Sequence, residues 1–239
     1  YCIVKIPRFD LKKFNRVSKK VGSAMKSVGE VMAIGRTFEE TFQKAIRMIH
    51  PSLPGFQSPV RLNDVGKEDL EAQLKYPDHE RVFAVAAALE RGYSVEQVFQ
   101  LTKIDRWFLS KLKRVTDMRK ILSSTGSLAN LSKGKMRALK THGFSDLQIA
   151  DSLGGSASEL AVRMRRKALG ILPWVKQIDT LAAEFPAQTN YLYMTYNGSE
   201  HDLVFNAEGI VVLGCGPYCI GSSVEFDWCA VSCVRQLRK

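Results

Sequence analysis

Apolar residues recur along this chain with two different periods, and the change of period organises it. Cys2-Ile3-Val4-Lys5-Ile6 reads as a strand that closes at Pro7, a residue unable to donate to a ladder. Phe9 to Ser23 has mixed charge and no sustained period, so it is expected to be a loop holding at most a short helix. Met25 to Arg36 alternates loosely and is interrupted by Gly29 and Gly35, as in a strand that passes close to something. Glu30 in that run faces either solvent or an internal polar passage. Thr37 and Glu40 then have the spacing of a capping box, and Phe38, Phe42, Ala45, Ile46 and Ile49 follow at helical spacing up to Pro51.

Pro51 to Pro77 holds four of the eight prolines together with Gly55 and Gly66, and reads as a linker with a short helix at Lys67 to Leu74. From Asp78 to about Gly170 the pattern is helical. Val82, Val85, Ala86 and Leu89 share one face of a helix that stops at Gly92. Gly92-Tyr93-Ser94-Val95-Glu96-Gln97-Val98 is echoed 51 residues later by Gly143-Phe144-Ser145-Asp146-Leu147-Gln148-Ile149. Each has a glycine stop, an aromatic residue and a Ser-x-x-Gln capping box, which predicts two copies of a helix-turn-helix-like unit in which Leu109 aligns with Leu160.

Pro173 ends the helical region. Thr189 to Tyr196 alternates aromatic and polar residues and closes on Asn197-Gly198, which predicts an exposed or docking strand. Ile210 to Leu213 reads as a strand, the glycines at 214, 216 and 221 as a bend, and Val224 to Lys239 as a helix. Cys219 stands where a dinucleotide-binding fingerprint needs its third glycine, so the bend is weak support for a bound dinucleotide. A final helix with no strand after it, and a first strand that begins at Tyr1, suggest a segment of a longer chain.

The formal net charge of +11 brings nucleic acid into consideration. Residues 1 to 50 hold eleven Lys and Arg against four acids, and a second basic group is Arg163, Arg165, Arg166 and Lys167. The first is spread over a loop-like segment with few aromatics for stacking. The second clusters in the C-terminal half of its helix, where it complements the dipole, whereas a recognition helix offers base-reading side chains near its N-terminus. A solvated basic surface and a basic helix-turn-helix-like nucleic-acid-binding module are therefore competing readings, and the surface is the one expected. Five cysteines, at 2, 215, 219, 229 and 233, include no Cys-x-x-Cys pair and fit free thiols better than a disulfide framework or a zinc site. No window is apolar for the ~20 residues that a membrane-spanning helix needs.

Three stretches together resemble the large chain of carbamoyl-phosphate synthetase: Met25 to Arg36 (MKSVGEVMAIGR), Val175 to Glu184 (VKQIDTLAAE) and Gly221 to Cys229 (GSSVEFDWC). Thr195 to Asp202 (TYNGSEHD) is more similar to the mitochondrial animal form of that family than to the cytosolic multifunctional one. The resemblance implies a mixed fold: a central all-α helical oligomerisation domain flanked by the end of one ATP-grasp α+β domain and the start of a Rossmann-like α/β pre-ATP-grasp domain. It sets their bounds at 1–50, 51–200 and 201–239. It also implies an internal segment of an ATP-dependent C–N ligase that makes carbamoyl phosphate from bicarbonate, ammonia or glutamine nitrogen, and ATP.

Met25, Val28, Glu30, Ser223 and Glu225 match family positions that line the tunnel carrying carbamate between two active sites. The segment itself is expected to carry no catalytic, cofactor or metal residue, with ATP and Mg or Mn bound elsewhere in the parent chain. The implied partners are the rest of the same polypeptide, a second copy through the helical domain, and a glutaminase subunit or domain, with no nucleic acid and no membrane. The implied location is the mitochondrial matrix, with the cytoplasm as the alternative. Cys219 and Ser223 depart from the family pattern, which leaves any anion contact at the glycine bend, and the bore at Ser223, open.

Overall fold

The computed structural model describes residues 1–189, 191–205, 208–214, 216 and 225–239, with residue 225 described by its backbone alone. Strand β1 (Cys2–Arg8) pairs antiparallel with β2 (Gly29–Gly35), Cys2 opposite Gly35 and Arg8 opposite Gly29. Between them lies a long connection that holds one 3-10 turn, Leu11–Lys13, and is tied to the linker by the Val21 amide donating to the Pro77 carbonyl. Alternation on β2 buries Val31, Ala33 and Gly35 and exposes Glu30 and Met32, the period-2 behaviour of a strand covered on one face. Helix α1 (Phe38–Ile49) supplies the cover, setting Ala45 and Ile49 against Val31, Ala33, Val4 and Ile6.

Thr37 caps α1 by accepting from the Glu40 amide at 3.3 Å, as the spacing predicts. The reciprocal half differs from a capping box. Glu40 reaches one residue further back and accepts from the Arg36 amide at 2.9 Å.

Helices α2 (Lys67–Lys75), α3 (Arg81–Glu90), α4 (Val95–Thr102), α5 (Arg106–Ser123), α6 (Lys133–Thr141), α7 (Asp146–Ser152) and α8 (Glu159–Ala168) form the central body. Its core runs from Phe56 through Leu70, Leu89, Leu109 and Leu122 to Phe144, Ile149 and Val162. The pattern of Val82, Val85, Ala86 and Leu89 predicts a one-faced helix for α3. Instead Ala84 to Leu89 are all buried, so α3 is the hub that neighbours surround, and its run of alanines allows close approach on every side.

The two-copy expectation holds at the level of elements: α3-α4-α5 and α6-α7-α8 are each a helix, a glycine stop, a short helix and a longer one. Gly92 (φ 92°) and Gly143 (φ 84°) sit at the stops, and Tyr93 and Phe144 each donate five residues back, to Ala88 and Leu139. Beyond that the copies diverge. Ser94 and Gln97 make both halves of their capping box, at 3.1 and 2.8 Å. Ser145 accepts from the Gln148 amide at 2.9 Å, but the Gln148 side chain is buried without a hydrogen-bond partner.

The expected match of Leu109 with Leu160 fails, because Leu109 is buried and Leu160 is 66% exposed. The stretch from the N-cap Ser145 to the N-cap Ser158, which carries Gly154 and Gly155, is two residues longer than that from Ser94 to Asp105, so Asp105 corresponds to Ser158 and the buried partner of Leu109 is Val162.

Strands β3 (Trp174–Gln177) and β4 (Leu192–Thr195) form a second antiparallel pair, with Trp174 opposite Thr195. This bears out the strand expected before Asn197-Gly198. Helix α9 (Glu225–Leu237) lies in the expected helical run. Ile210 to Leu213 is not a strand: Ile210, Val211 and Leu213 are exposed and none joins a ladder among the described residues. A β-branched run becomes a strand only beside a partner that accepts its backbone bonds. The described cysteines 2, 229 and 233 are free thiols, and no described helix is long and apolar enough to cross a membrane.

Candidate functional site

The residues matched to the tunnel separate into two groups. Met25 and Val28 lie on the approach to β2, and Glu30 is its second residue. Met25 is 87% exposed, Val28 lies at the margin of exposure, and Glu30 stands on the uncovered face of the β1–β2 pair. There the Lys5 ammonium ion-pairs with the Glu30 carboxylate at 2.6 Å, along the diagonal from Lys5, opposite Met32, to Glu30, opposite Pro7. In this chain the Glu30 carboxylate is exposed and paired with Lys5. Ser223 and the Glu225 side chain, like Cys215, Cys219 and Gly221, lie outside the described residues.

Of two buried ionic nodes, the first fixes that edge to the helical body and the second ties α6, α7 and α8 together, and neither shows in the spacing of the sequence. Glu40, 1% exposed, accepts at Oε2 from the Arg36 amide, from the Thr195 hydroxyl at 2.9 Å and from the Asn197 side-chain amide at 3.0 Å. Thr195 in turn accepts from the Asn197 amide at 2.9 Å. One carboxylate thus joins the end of β2, the start of α1 and the end of β4. Lys44, a turn further along α1, donates to the Ile34 carbonyl of β2 at 2.8 Å and to the Met194 carbonyl of β4. Burial lowers its ammonium from the ordinary lysine value, and Glu40 opposes that.

The second node is Asp146 at the start of α7. Lys140 donates to it at 2.9 Å, and Arg166 donates through Nε to both carboxylate oxygens, at 3.0 and 2.8 Å. Burial by itself raises the Asp146 carboxyl, but Lys140 and then Arg166 outweigh it and hold the group below its usual range. Burial brings the Lys140 ammonium down to about 8 against the pull of Asp146, and brings Arg47 down to about 10. Lys140 and Arg166 also lie over the Tyr196 ring, 4.9 and 5.8 Å from its centre.

The basic group of α8 is therefore not one surface. Arg166 turns inward to Asp146, while Arg163, Arg165 and Lys167 stay exposed. Between the nodes α1, α6, α8 and β4 enclose a cavity of about 470 Å³, whose wall carries Glu40 and six cationic side chains. Among the described residues no group of three or more His, Cys, Asp or Glu side chains is placed to hold a metal ion.

The family model for "Carbamoyl-phosphate synthetase large chain, oligomerisation domain" matches residues 30–170, and that for "Carbamoyl phosphate synthase preATP-grasp domain" matches residues 206–239. Over its whole length the chain is 56% identical to the mitochondrial arginine-specific carbamoyl phosphate synthase large chain of Schizosaccharomyces pombe, of which it covers 20%. It is 53% identical to the mitochondrial carbamoyl-phosphate synthase [ammonia] of Rattus norvegicus, covering 16%, and 53% identical to the multifunctional protein CAD of Squalus acanthias, covering 10%. The chain thus spans a fifth or less of the length of these relatives.

Proposed function

Because this chain belongs to the carbamoyl-phosphate synthetase large-chain family, we propose that it joins the two synthetase halves of a carbamoyl phosphate synthase and walls part of the passage between them. The parent enzyme is read as an ATP-dependent ligase that condenses bicarbonate, ammonia or glutamine nitrogen, and ATP. In this reading residues 1–50 end the first ATP-grasp half, 51–200 form the oligomerisation domain and 201–239 open the second half. ATP and Mg or Mn are assigned to other parts of the parent chain.

The observation that carries the reading is Glu40. Through it the strand bearing Glu30, the helical body and the strand pair leading to residues 206–239 are locked into one unit. A scaffold that must hold two reaction centres in register needs a buried, geometrically fixed joint, and three hydrogen bonds on one carboxylate oxygen supply it.

Glu30 and Lys5 give the Met25–Glu30 edge a neutral ion pair in place of a bare carboxylate. Beside a passage that carries an anion, the Lys5 charge offsets the repulsion by Glu30 while both keep the wall polar. Ser223 and Glu225 complete the wall from the far side. Exclusion of bulk water there protects carbamate from decomposition. Self-association occurs through the helical domain, a glutaminase subunit or domain delivers nitrogen, and the mitochondrial names of the S. pombe and rat relatives favour the mitochondrial matrix.

The test is made in the parent enzyme with Glu30→Lys and, separately, Met25→Trp. Bicarbonate-dependent ATP hydrolysis and ATP synthesis from carbamoyl phosphate and ADP are expected to continue while overall carbamoyl phosphate synthesis falls at least tenfold. A parallel loss of all three activities in a folded variant would reassign this edge to catalysis.

A further inference from the structure

We propose that the cavity between α1, α6, α8 and β4 is a binding site for a small organic phosphate. Its wall brings Lys44, Arg47, Lys140, Arg163, Arg166 and Lys167 together against one lining carboxylate, Glu40. Such an excess of cations around one concavity raises the local concentration of anions and disfavours cations.

The donors are not used up by the fold. Lys44 is occupied by two backbone carbonyls, and Lys140 by the Phe144 carbonyl and Asp146. Arg47 donates to the Gly143 carbonyl at 2.6 Å, with no second acceptor among the described residues. Arg166 engages Asp146 through Nε and the Ile171 carbonyl through Nη1 at 3.4 Å, which leaves Nη2. Arg163 and Lys167, one turn apart on α8, make no hydrogen bond or ion pair among the described residues, yet both line the cavity. Guanidinium groups arriving from α1 and α8 can take several oxygens of one tetrahedral dianion, whereas a planar carboxylate satisfies one fork.

Size supplies the rest of the ligand. At about 470 Å³ the cavity is far larger than phosphate and falls in the ~300–1,000 Å³ range of small-molecule sites. The remaining wall is mainly apolar, with Phe144, Leu172, Pro173, Met194 and Tyr196, and fits a compact organic body.

The test uses the 239-residue chain and three probes at constant ionic strength: phenyl phosphate, inorganic phosphate and benzoate. Titrations followed by calorimetry and by amide NMR shifts at Gly143 and Phe144 are expected to show saturable phenyl phosphate binding. Inorganic phosphate should bind at least fivefold more weakly, and benzoate at least tenfold more weakly. The double variant R163Q/K167Q replaces exposed side chains, so its thermal unfolding should match that of the parent chain while phenyl phosphate binding weakens tenfold or more. The proposal is overturned by absence of saturable binding, by benzoate binding as well as phenyl phosphate, or by a folded double variant that binds like the parent chain. Inorganic phosphate binding as tightly as phenyl phosphate would overturn the organic part of the ligand.

Discussion

The Thr195 hydroxyl donates to Glu40 Oε2 at 2.9 Å, joining residues 155 positions apart in a buried contact. The same oxygen serves Arg36 and Asn197, so its loss is felt in three elements at once.

Thr195→Val keeps the shape and removes one arm, leaving the Asn197 amide without its acceptor. The expected cost is ~1–2 kcal/mol in urea unfolding. Glu40→Ala strips the acceptor from all three donors and leaves Lys44 without its nearby carboxylate, for a cost of ~3–5 kcal/mol. In a double-mutant cycle the pair should couple by at least ~0.5 kcal/mol, and additivity would show that the hydrogen bond does not join the strands energetically.

Asp146→Asn leaves two inward-facing cations, Lys140 and Arg166, with no anion between them, and should destabilise by ~3–5 kcal/mol at neutral pH. The pH dependence has a defined sign. The folded Asp146 carboxyl titrates below its ordinary value of 3.8, so on acidification the unfolded chain takes up the proton first. Its stabilisation is complete above that ordinary value and is lost as pH falls through the folded one. The stability gap between the parent chain and Asp146→Asn, measured by denaturant unfolding from pH 7 to 3, should therefore narrow at the acid end. A constant gap would mean that the carboxylate charge is not what stabilises the node.

Gly92 and Gly143 occupy equivalent helix stops with φ of 92° and 84°, but their surroundings differ. A Cβ at Gly92 meets nothing within 4 Å, so Gly92→Ala should cost only the left-handed strain, ~1–2 kcal/mol. At Gly143 the added carbon would stand 2.8 Å from Glu40 Cα and 2.9 Å from its carbonyl oxygen. Both are backbone atoms that cannot step aside. Gly143→Ala should be clearly the more destabilising of the two in thermal unfolding, and equal effects would contradict the close approach of α1 to this stop.

Val162, not Leu160, is the core residue of α8. Val162→Ala should cost ~2 kcal/mol and Leu160→Ala less than ~0.5 kcal/mol, in spite of the larger side chain lost in the second. Equal costs would restore the uniform 51-residue echo.

What the sequence determined by itself is local. Ser94 with Gln97, Thr37 before α1, the glycine stops at 92 and 143 and the alternation of β1 and β2 depend on residues within a few positions of one another, where spacing alone defines which groups meet. The motifs in Met25–Arg36, Val175–Glu184 and Gly221–Cys229 likewise sufficed for the family. The tertiary structure decided the rest. Two extra residues between the N-caps of α7 and α8 moved the buried face of α8 from Leu160 to Val162, and Arg166, one of four basic neighbours, turned inward because Asp146 waits on another helix. Glu40 looks in the sequence like half of a capping box, and only the packing of β4 against α1 brings Thr195 and Asn197 to it. Ile210 to Leu213 has the composition of a strand and forms none among the described residues. Composition sets how willing a segment is to pair, but a ladder, an ion pair or a buried carboxylate exists only when a distant part of the chain arrives to complete it.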